Sequence, residues 1–412
     1  MNEIKKVIEQ SLDEAKDFLK ELIKFESISG IGEEDIQNFI YGKFKNFGEC
    51  NLVEIDEEIK KDPEYTFSDI PVDYSKRKNL VLEIGRNCGN ILILNTHSDV
   101  VPTKNWDKAF IPEEKDGFIT GRGAVDAKGQ IAVIYLVLLA LKRLKLDISG
   151  KLIIEIVIEE EIGGNGTLSL IRKGYRGDGV IVLEPTNLKI APANRGAIWF
   201  KLKIKGKSVH MGKIWEGVNA IEKFCYLFDK LKEYEKKLIE ESKNVDLFKK
   251  FKQPVQLNLG IIKGGAWPSM VCGEVEVEGG IGFLPNKSLN QIKKEFEDVI
   301  KNCGDDWILS NYELSFPKLH NDSYSISPKH PLVKILKDAV EETGLTPEME
   351  GFIASCDARL FNKLGNMPVI VFGPGLLEYA HSDDEKIKIE DIKIAGEIFL
   401  RTITKFMEVK KW

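Results

Sequence analysis

Residues 152–173 read LIIEIVIEEEIGGNGTLSLIRK. Leu152–Ile158 is an apolar run of strand length, and residues 165–173 carry apolar side chains at helical spacing. Between them, Glu159, Glu160 and Glu161 run into Gly163, Gly164 and Gly166. A strand so largely apolar reads as buried, and the glycines permit a tight turn at its end. Three consecutive carboxylates against a buried strand repel one another unless cations balance them. A solvated acidic loop is the ordinary alternative, weakened by the glycines and by the strand directly before it.

Working outward, the alternation repeats. Asn79–Glu83, Asn90–Leu94, Gly179–Leu183 and Pro368–Phe372 read as further buried strands, and residues 128–144 as a helix between two of them. This pattern predicts an α/β fold with a mostly parallel sheet flanked by helices. From residue 196 the order changes: strand Ile198–Ile204, a charged helix over 217–240, strands Gln256–Ile262 and Glu274–Phe283, helix Leu289–Lys301 and strand Trp307–Ser315. That is the order of a ferredoxin-like α+β unit. The sequence therefore predicts a catalytic domain over 1–194 and 317–412, interrupted by a lid over 195–316.

Bulk properties narrow the function classes. A net charge of −6 with 30% charged residues lacks the basic footprint of a nucleic-acid or anionic-membrane partner. The opening helix, EIKKVIEQSLDEAKDFLKELIKF (3–25), places Ile4, Ile8, Leu12, Ala15, Leu19 and Leu22 on one stripe, with charges throughout, unlike a secretory signal. The longest apolar run, Ile131–Leu141, is too short for the roughly 20 residues of a membrane span. Six scattered cysteines without a CxxC pair read as the reduced thiols of a cytoplasmic protein.

The remaining chemistry-bearing residues also follow predicted strands, the edge where α/β sheets bind ligands. NTHSDVVP follows the strand ending at Leu94, with His97 and Asp99 two apart on one extended face. His97 would ligate a metal, and Asp99 would orient it; a histidine capping a strand end is equally ordinary. Asp126 opens the helix at 128 and, alone, reads as a plain N-cap. Glu184 in LEPT and His381 in YAHSDDE close two more strand-to-turn passages, where a satisfied polar residue is the commoner reading of each alone. Together, two histidines and several carboxylates, with no cysteine, suit catalytic zinc, and a bridging carboxylate would allow two metals about 3.5–4 Å apart.

THSDVVP, GRGAVDAKG, EEEIGGNGT, LEPT, GKSVHMG…GVNA, the GGAWPSMV run and AHSDDE occur in this order. Over residues 75–395 the chain resembles the di-zinc family of acetylornithine deacetylase, succinyl-diaminopimelate desuccinylase, aminoacylase and bacterial glutamate carboxypeptidase. The resemblance implies that His97 and Glu184 bind one zinc, Glu161 and His381 the other, and that Asp126 bridges both. It implies Glu160 as general base, Asp99 as the residue orienting His97, and His210 as an oxyanion donor, in family members usually across a dimer interface. Two Zn2+, or Co2+, per chain and a homodimer through the lid follow from the same resemblance.

Two departures bear on substrate. Many relatives carry an arginine in the strand that here reads EGGIGFLP (278–285), and the asparagine of the GG-x-x-x-N run is replaced, with Ser269 the nearest polar residue. Fewer arginines weigh against a succinyl substrate, whose extra carboxylate suits a guanidinium fork. Arg195 and Arg359 are candidates for a substrate carboxylate, and Arg122 is either a third or a solvated surface residue. The expected activity is removal of an acyl group from an N-acyl amino acid, with a dipeptidase, a carboxypeptidase or a succinyl-diaminopimelate desuccinylase of the same family as alternative. A non-catalytic metal-binding scaffold is disfavoured because Glu160 is present.

Overall fold

The computed structural model describes residues 2–68, 71–86 and 88–407; positions 408–412, included in the expected catalytic segment, lie outside the described residues. The chain forms two compact units. The first comprises Met1–Ala193, Ser325–Phe352 and Cys356–Trp412, and the second Asn194–Tyr324 with Ile353–Ser355.

The first unit is built on a six-stranded sheet. In spatial order its strands are Glu49–Glu54, Lys78–Gly85, Lys151–Val157, Ile91–His97, Gly179–Val182 and Val369–Val371. The last three pairings are parallel and the first two antiparallel. The strands in parallel pairs are mostly apolar and almost wholly buried, as cover on both faces requires. Helix Lys128–Leu144 is buried from Lys128 to Leu141 except at Tyr135, which is partly buried. Helices Asn2–Ile23 and Ile389–Phe406 pack against it and each other. The approach to Ile389–Phe406 is close: a Cβ at Gly396 would lie 2.6 Å from Leu136 Cδ2. Leu92, Leu94, Leu152, Ile154, Ile131 and Leu136 belong to one core, each burial contributing about 1.5–3 kcal/mol.

Helix Glu33–Phe44 and the edge strand Glu49–Glu54 went unread in the sequence. The helix follows Gly32, which offers no side-chain cap, and buries only Ile36, Ile40 and Phe44 among its apolar residues, with Glu33 and Gln37 buried beside them. The strand, ECNLVE, shows neither a continuous apolar run nor clean alternation.

In the second unit, strands Gln256–Gly264, Glu274–Phe283, Gly196–Lys205 and Tyr312–Ser315 form an antiparallel sheet in that spatial order. Ile198, Phe200, Leu202 and Ile204 are buried, and helices Ala220–Ser242 and Leu289–Lys301 bury Phe224, Leu227, Leu231, Phe296 and Ile300. On the alternate positions Lys201 and Lys203 pair with Glu276 and Glu274, and Lys205 with Glu313.

Two expectations here need correction. Trp307–Ser315 is not one strand: Asp306–Ser310 is a short helix because the Asp305 carboxylate accepts from Ile308 N–H, and only Tyr312–Ser315 is extended. The unit also runs past residue 316, because His320–Asn321 pairs with strand Gly196–Lys205.

Candidate metal centre

Six side chains of the first unit, His97, Asp126, Glu160, Glu161, Glu184 and His381, converge beyond the C-terminal ends of its parallel strands. His97 is the last residue of strand Ile91–His97. Glu160 and Glu161 follow strand Lys151–Val157, Glu184 follows Gly179–Val182, and His381 follows a single turn at Leu377–Tyr379. Asp126 precedes helix Lys128–Leu144, but it is not the cap that it resembles in sequence; Ala127 holds the N-cap position, without a side-chain bond.

The Asp126 carboxylate faces both histidines. Its Oδ1 lies 3.1 Å from His97 Nε2 and its Oδ2 lies 3.3 Å from His381 Nε2. On the His97 side Glu184 Oε1 is 4.0 Å from the same nitrogen; on the His381 side the Glu161 carboxylate is 3.1 Å away. Donor atoms of His97, Asp126 and Glu161, and those of His97, Glu160 and Glu184, lie within 4.8 Å of one another, so each trio could hold a metal ion. His381 is the exposed member, with 52% side-chain exposure against 1% for His97.

Asp99 has two tasks. Its backbone carbonyl lies 3.0 Å and its Oδ1 3.5 Å from His97 Nδ1. A carbonyl can only accept, so Nδ1 donates, and Nε2 faces Asp126 free to hold a proton or a metal. The Asp99 carboxylate also accepts from the N–H groups of Glu160, at 3.2 Å, and Glu161, at 3.1 Å. One residue thus ties the histidine to the acidic turn.

The electrostatics fit a cationic guest. Asp99, Asp126, Glu160, Glu161 and Glu184 crowd around two imidazoles. Burial pushes the carboxyls of Glu160 and Glu184 well above the ordinary range and that of Glu161 to about 7. Burial opposes charge on His97, but hydrogen bonds to Asp126 and Asp99 outweigh it and hold its pKa well above the ordinary value. His381 is raised to about 10 by its hydrogen bonds to Asp126 and Glu161. Burial likewise opposes charge on Asp126, yet the two histidines hold its carboxyl low. A nitrogen lone pair 3.1 Å from a carboxylate needs a proton or a metal between them. Excess buried carboxylate, N and O donors and no thiolate fit divalent ions.

Residues not singled out in the sequence frame the site. Glu385 Oε1 accepts from the backbone N–H groups of Val125 and Asp126, both at 3.0 Å, and its Oε2 pairs with Arg122 at 2.7 Å. Asp357 accepts from Thr167 Oγ1 at 2.6 Å, and a Cβ at Gly164 would come within 2.2 Å of its Oδ1. Gly164, at φ +83°, is therefore required both by conformation and by space. Glu385 was legible as the last letter of AHSDDE; Asp357 had no local signal.

Two arginine expectations are corrected. Arg359 is buried, donating from Nη2 to the Gly163 carbonyl at 3.0 Å, with Nη1 3.5 Å from Glu64. It braces the acidic turn and offers no open fork to a substrate. Arg122 is buried rather than solvated, held by Glu385 and the Ser382 carbonyl and stacked 5.5 Å from Trp106.

His210 and Arg195 belong to the second unit. His210 is exposed and caps the turn Met211–Glu216, its Nδ1 accepting from Gly212 N–H at 3.1 Å. Arg195 lines a cavity of about 440 Å³ together with Trp199, Gln256, Asn258 and Lys318. Its Nη1 donates to Gln256 at 2.9 Å, while its buried Nε has no partner among the described residues. Gly282 makes room for it, since a Cβ there would lie 3.0 Å from the guanidinium carbon.

Residues 93–405 match the peptidase family M20/M25/M40. The chain belongs to this family. Among M20/M25/M40 relatives, the N-formyl-4-amino-5-aminomethyl-2-methylpyrimidine deformylase of Bacillus subtilis (strain 168) is 28% identical over 346 residues, 78% of this chain and 80% of that protein. The acetylornithine deacetylase of Shigella sonnei (strain Ss046) is 28% identical over 344 residues, 82% of this chain and 85% of that one. In fold, the chain is similar to a tripeptidase from Staphylococcus aureus, with a TM-score of 0.75 at 21% identity, covering 96% of this chain and 99% of the other. Family membership makes this M20/M25/M40 protein a metal-dependent hydrolase of amide bonds. Among the described residues, no helix is long and apolar enough to cross a membrane.

Proposed function

We propose that this chain is a two-zinc deacylase that removes an acyl group from an N-acyl amino acid or a related small amide. The observation that carries the reading is the Asp126 carboxylate, with one oxygen 3.1 Å from His97 and the other 3.3 Å from His381. A carboxylate so placed suits a bridging ligand, with His97 and Glu184 completing one site and Glu161 and His381 the other. Bound there, zinc or cobalt supplies Lewis acidity and lowers the pKa of water from about 15.7 towards 7. Glu160 takes the proton of the attacking water and returns it to the leaving amine, a contribution of about a hundred- to ten-thousandfold. Asp99 orients His97 and anchors Glu160 through its backbone. His210 donates to the developing oxyanion from a lid that also makes a homodimer, and Arg195 receives a substrate carboxylate. A cytoplasmic location goes with this reading.

Deacylation is preferred to peptide cleavage because the relatives at 28% identity are named as a deformylase and a deacetylase, whereas the likeness to the tripeptidase is one of fold. The test is a screen of zinc- and cobalt-loaded protein against N-formyl, N-acetyl, N-succinyl and dipeptide substrates, with metal analysis alongside. About two metal equivalents per chain and turnover of an N-acyl substrate are expected. Full activity in chelator with no metal bound would overturn the reading.

A further inference from the structure

The acidic turn holds three consecutive glutamates, and only Glu160 and Glu161 contribute donor atoms to the candidate metal trios. Glu159 is 0% exposed and stands at φ +63°, a left-handed conformation that a non-glycine residue keeps only when its surroundings hold it there. What holds it is a buried cluster within the first unit. Glu159 Oε1 is 2.5 Å from Arg77 Nη1; its Oε2 accepts from Tyr74 Oη at 2.7 Å and Asn165 Nδ2 at 2.8 Å.

Arg77 extends the cluster. Its Nη2 and Nε donate to the two oxygens of Glu33, at 2.6 and 3.1 Å, and its guanidinium carbon lies 5.6 Å from the centre of the Tyr74 ring. Glu33 in turn accepts from Gly30 N–H at 2.8 Å. One guanidinium therefore joins the first residue of helix Glu33–Phe44 to the first residue of the acidic turn. Two residues on, Asn79 bonds both sides of that turn, accepting from Ile158 N–H at 3.2 Å and donating to the Gly166 carbonyl at 2.8 Å.

We infer that Arg77 is a positioning residue for the reaction: by clamping Glu159 in its left-handed conformation, it sets the direction in which Glu160 and Glu161 leave the strand. The inference rests on the proposed roles of those two glutamates. The αL residue is the pivot, because a rotation at Glu159 carries both following carboxylates with it. Asp99 fixes the far side of the same turn through the N–H groups of Glu160 and Glu161. Without Arg77 the buried Glu159 carboxylate loses its cationic partner, and an unpaired buried charge drives the residue to turn towards solvent. That turn releases the pivot. A misplacement of about 1 Å at a reacting group costs on the order of a hundredfold in rate.

The experiment compares R77M, R77K and Y74F with the native protein, each stripped of metal and titrated with Co2+. The cobalt absorption spectrum and stoichiometry are read first, then kcat and KM on a hydrolysed amide. R77M is expected to keep two Co2+ equivalents and a KM within about threefold of native, while kcat falls about ten- to a hundredfold and the cobalt bands shift as Glu161 moves. R77K, which reaches one of the two glutamates but not both, should fall between, and Y74F, which removes one of the bonds to Glu159, should lower kcat by a few fold. Native spectra and kcat in R77M, or in both R77K and Y74F if R77M does not fold, would overturn the inference. So would a loss of kcat that excess Co2+ restores in full, since Arg77 would then serve metal retention alone. If no amide is turned over even by native protein, the proposed function fails, and the spectra still decide the role of Arg77.

Discussion

Glu155 offers a test of the first unit that is independent of catalysis. It lies in strand Lys151–Val157, paired across to Val81 on one side and Asn95 on the other, and is 0% exposed. Its Oε2 accepts from Asn95 Nδ2 at 3.1 Å, and its Oε1 has no partner among the described residues. Burial, opposed by the Asn95 hydrogen bond and reinforced by nearby Asp357, pushes its carboxyl from an ordinary 4.5 up to about 8. Between these values the native state holds a proton that the unfolded chain has released. Stability from this group is therefore complete below about pH 4.5 and lost as pH rises towards 8, at about 1.4 kcal/mol per pH unit. Glu155→Gln fills the same space without titrating, so the variant should lose that slope. Chemical denaturation at pH 6 and pH 8.5 measures it. The variant should gain on the native protein by about 1–3 kcal/mol between the two conditions. An identical pH dependence in both proteins would show that Glu155 is not held protonated, and that the charge reasoning applied to the neighbouring site is wrong.

The other predictions concern turnover. Glu160→Gln should keep both metals and lose about a hundred- to ten-thousandfold in kcat, whereas Glu161→Gln should weaken one metal site; matching behaviour with normal metal content would refute the division of roles. Inactive His210→Ala chains mixed with inactive Glu160→Ala chains should regain activity on subunit exchange if His210 acts across a dimer, and confirmed exchange without activity would reject that. N-acyl amino acids should be hydrolysed more efficiently than their carboxamides, because the buried Nε of Arg195 has no partner among the described residues; equal kcat/KM would remove it from recognition.

Much of the site could be read in the sequence because its residues stand at places that announce themselves. His97, Glu160, Glu161 and Glu184 each follow an apolar run, and a parallel sheet brings such positions to one edge. That His97 and His381 meet around one aspartate has no local signal; it rests on strand order, which periodicity does not encode. The arginines failed for a related reason. Spacing cannot tell whether a guanidinium is already taken, and Arg359 and Arg122 are occupied by Gly163, Glu385 and Ser382. The grip of Arg77 on Glu159 joins residues far apart in sequence, in a stretch with neither motif nor period. Helix Asp306–Ser310 was missed because Trp307, Ile308 and Leu309 suit a strand equally well, and the Asp305 cap decides otherwise.

The division of the first unit between the two ends of the chain has a consequence during synthesis. Strand Gly179–Val182 pairs on one side with Ile91–His97, which the ribosome has already made, and on the other with Val369–Val371, which it has not. Some 190 residues, the whole continuous stretch of the second unit among them, must emerge before that edge is covered. At about 5–20 residues per second this leaves the edge open for roughly ten to forty seconds. Helix Ile389–Phe406, which seals the core against Leu136, arrives later still. Until then the nascent chain presents an apolar strand edge and an incomplete core, both of which invite pairing with other chains. The second unit carries its sheet and both packed helices between Asn194 and Tyr324, so it can fold on the ribosome while the first unit still waits for the last strand of its six-stranded sheet.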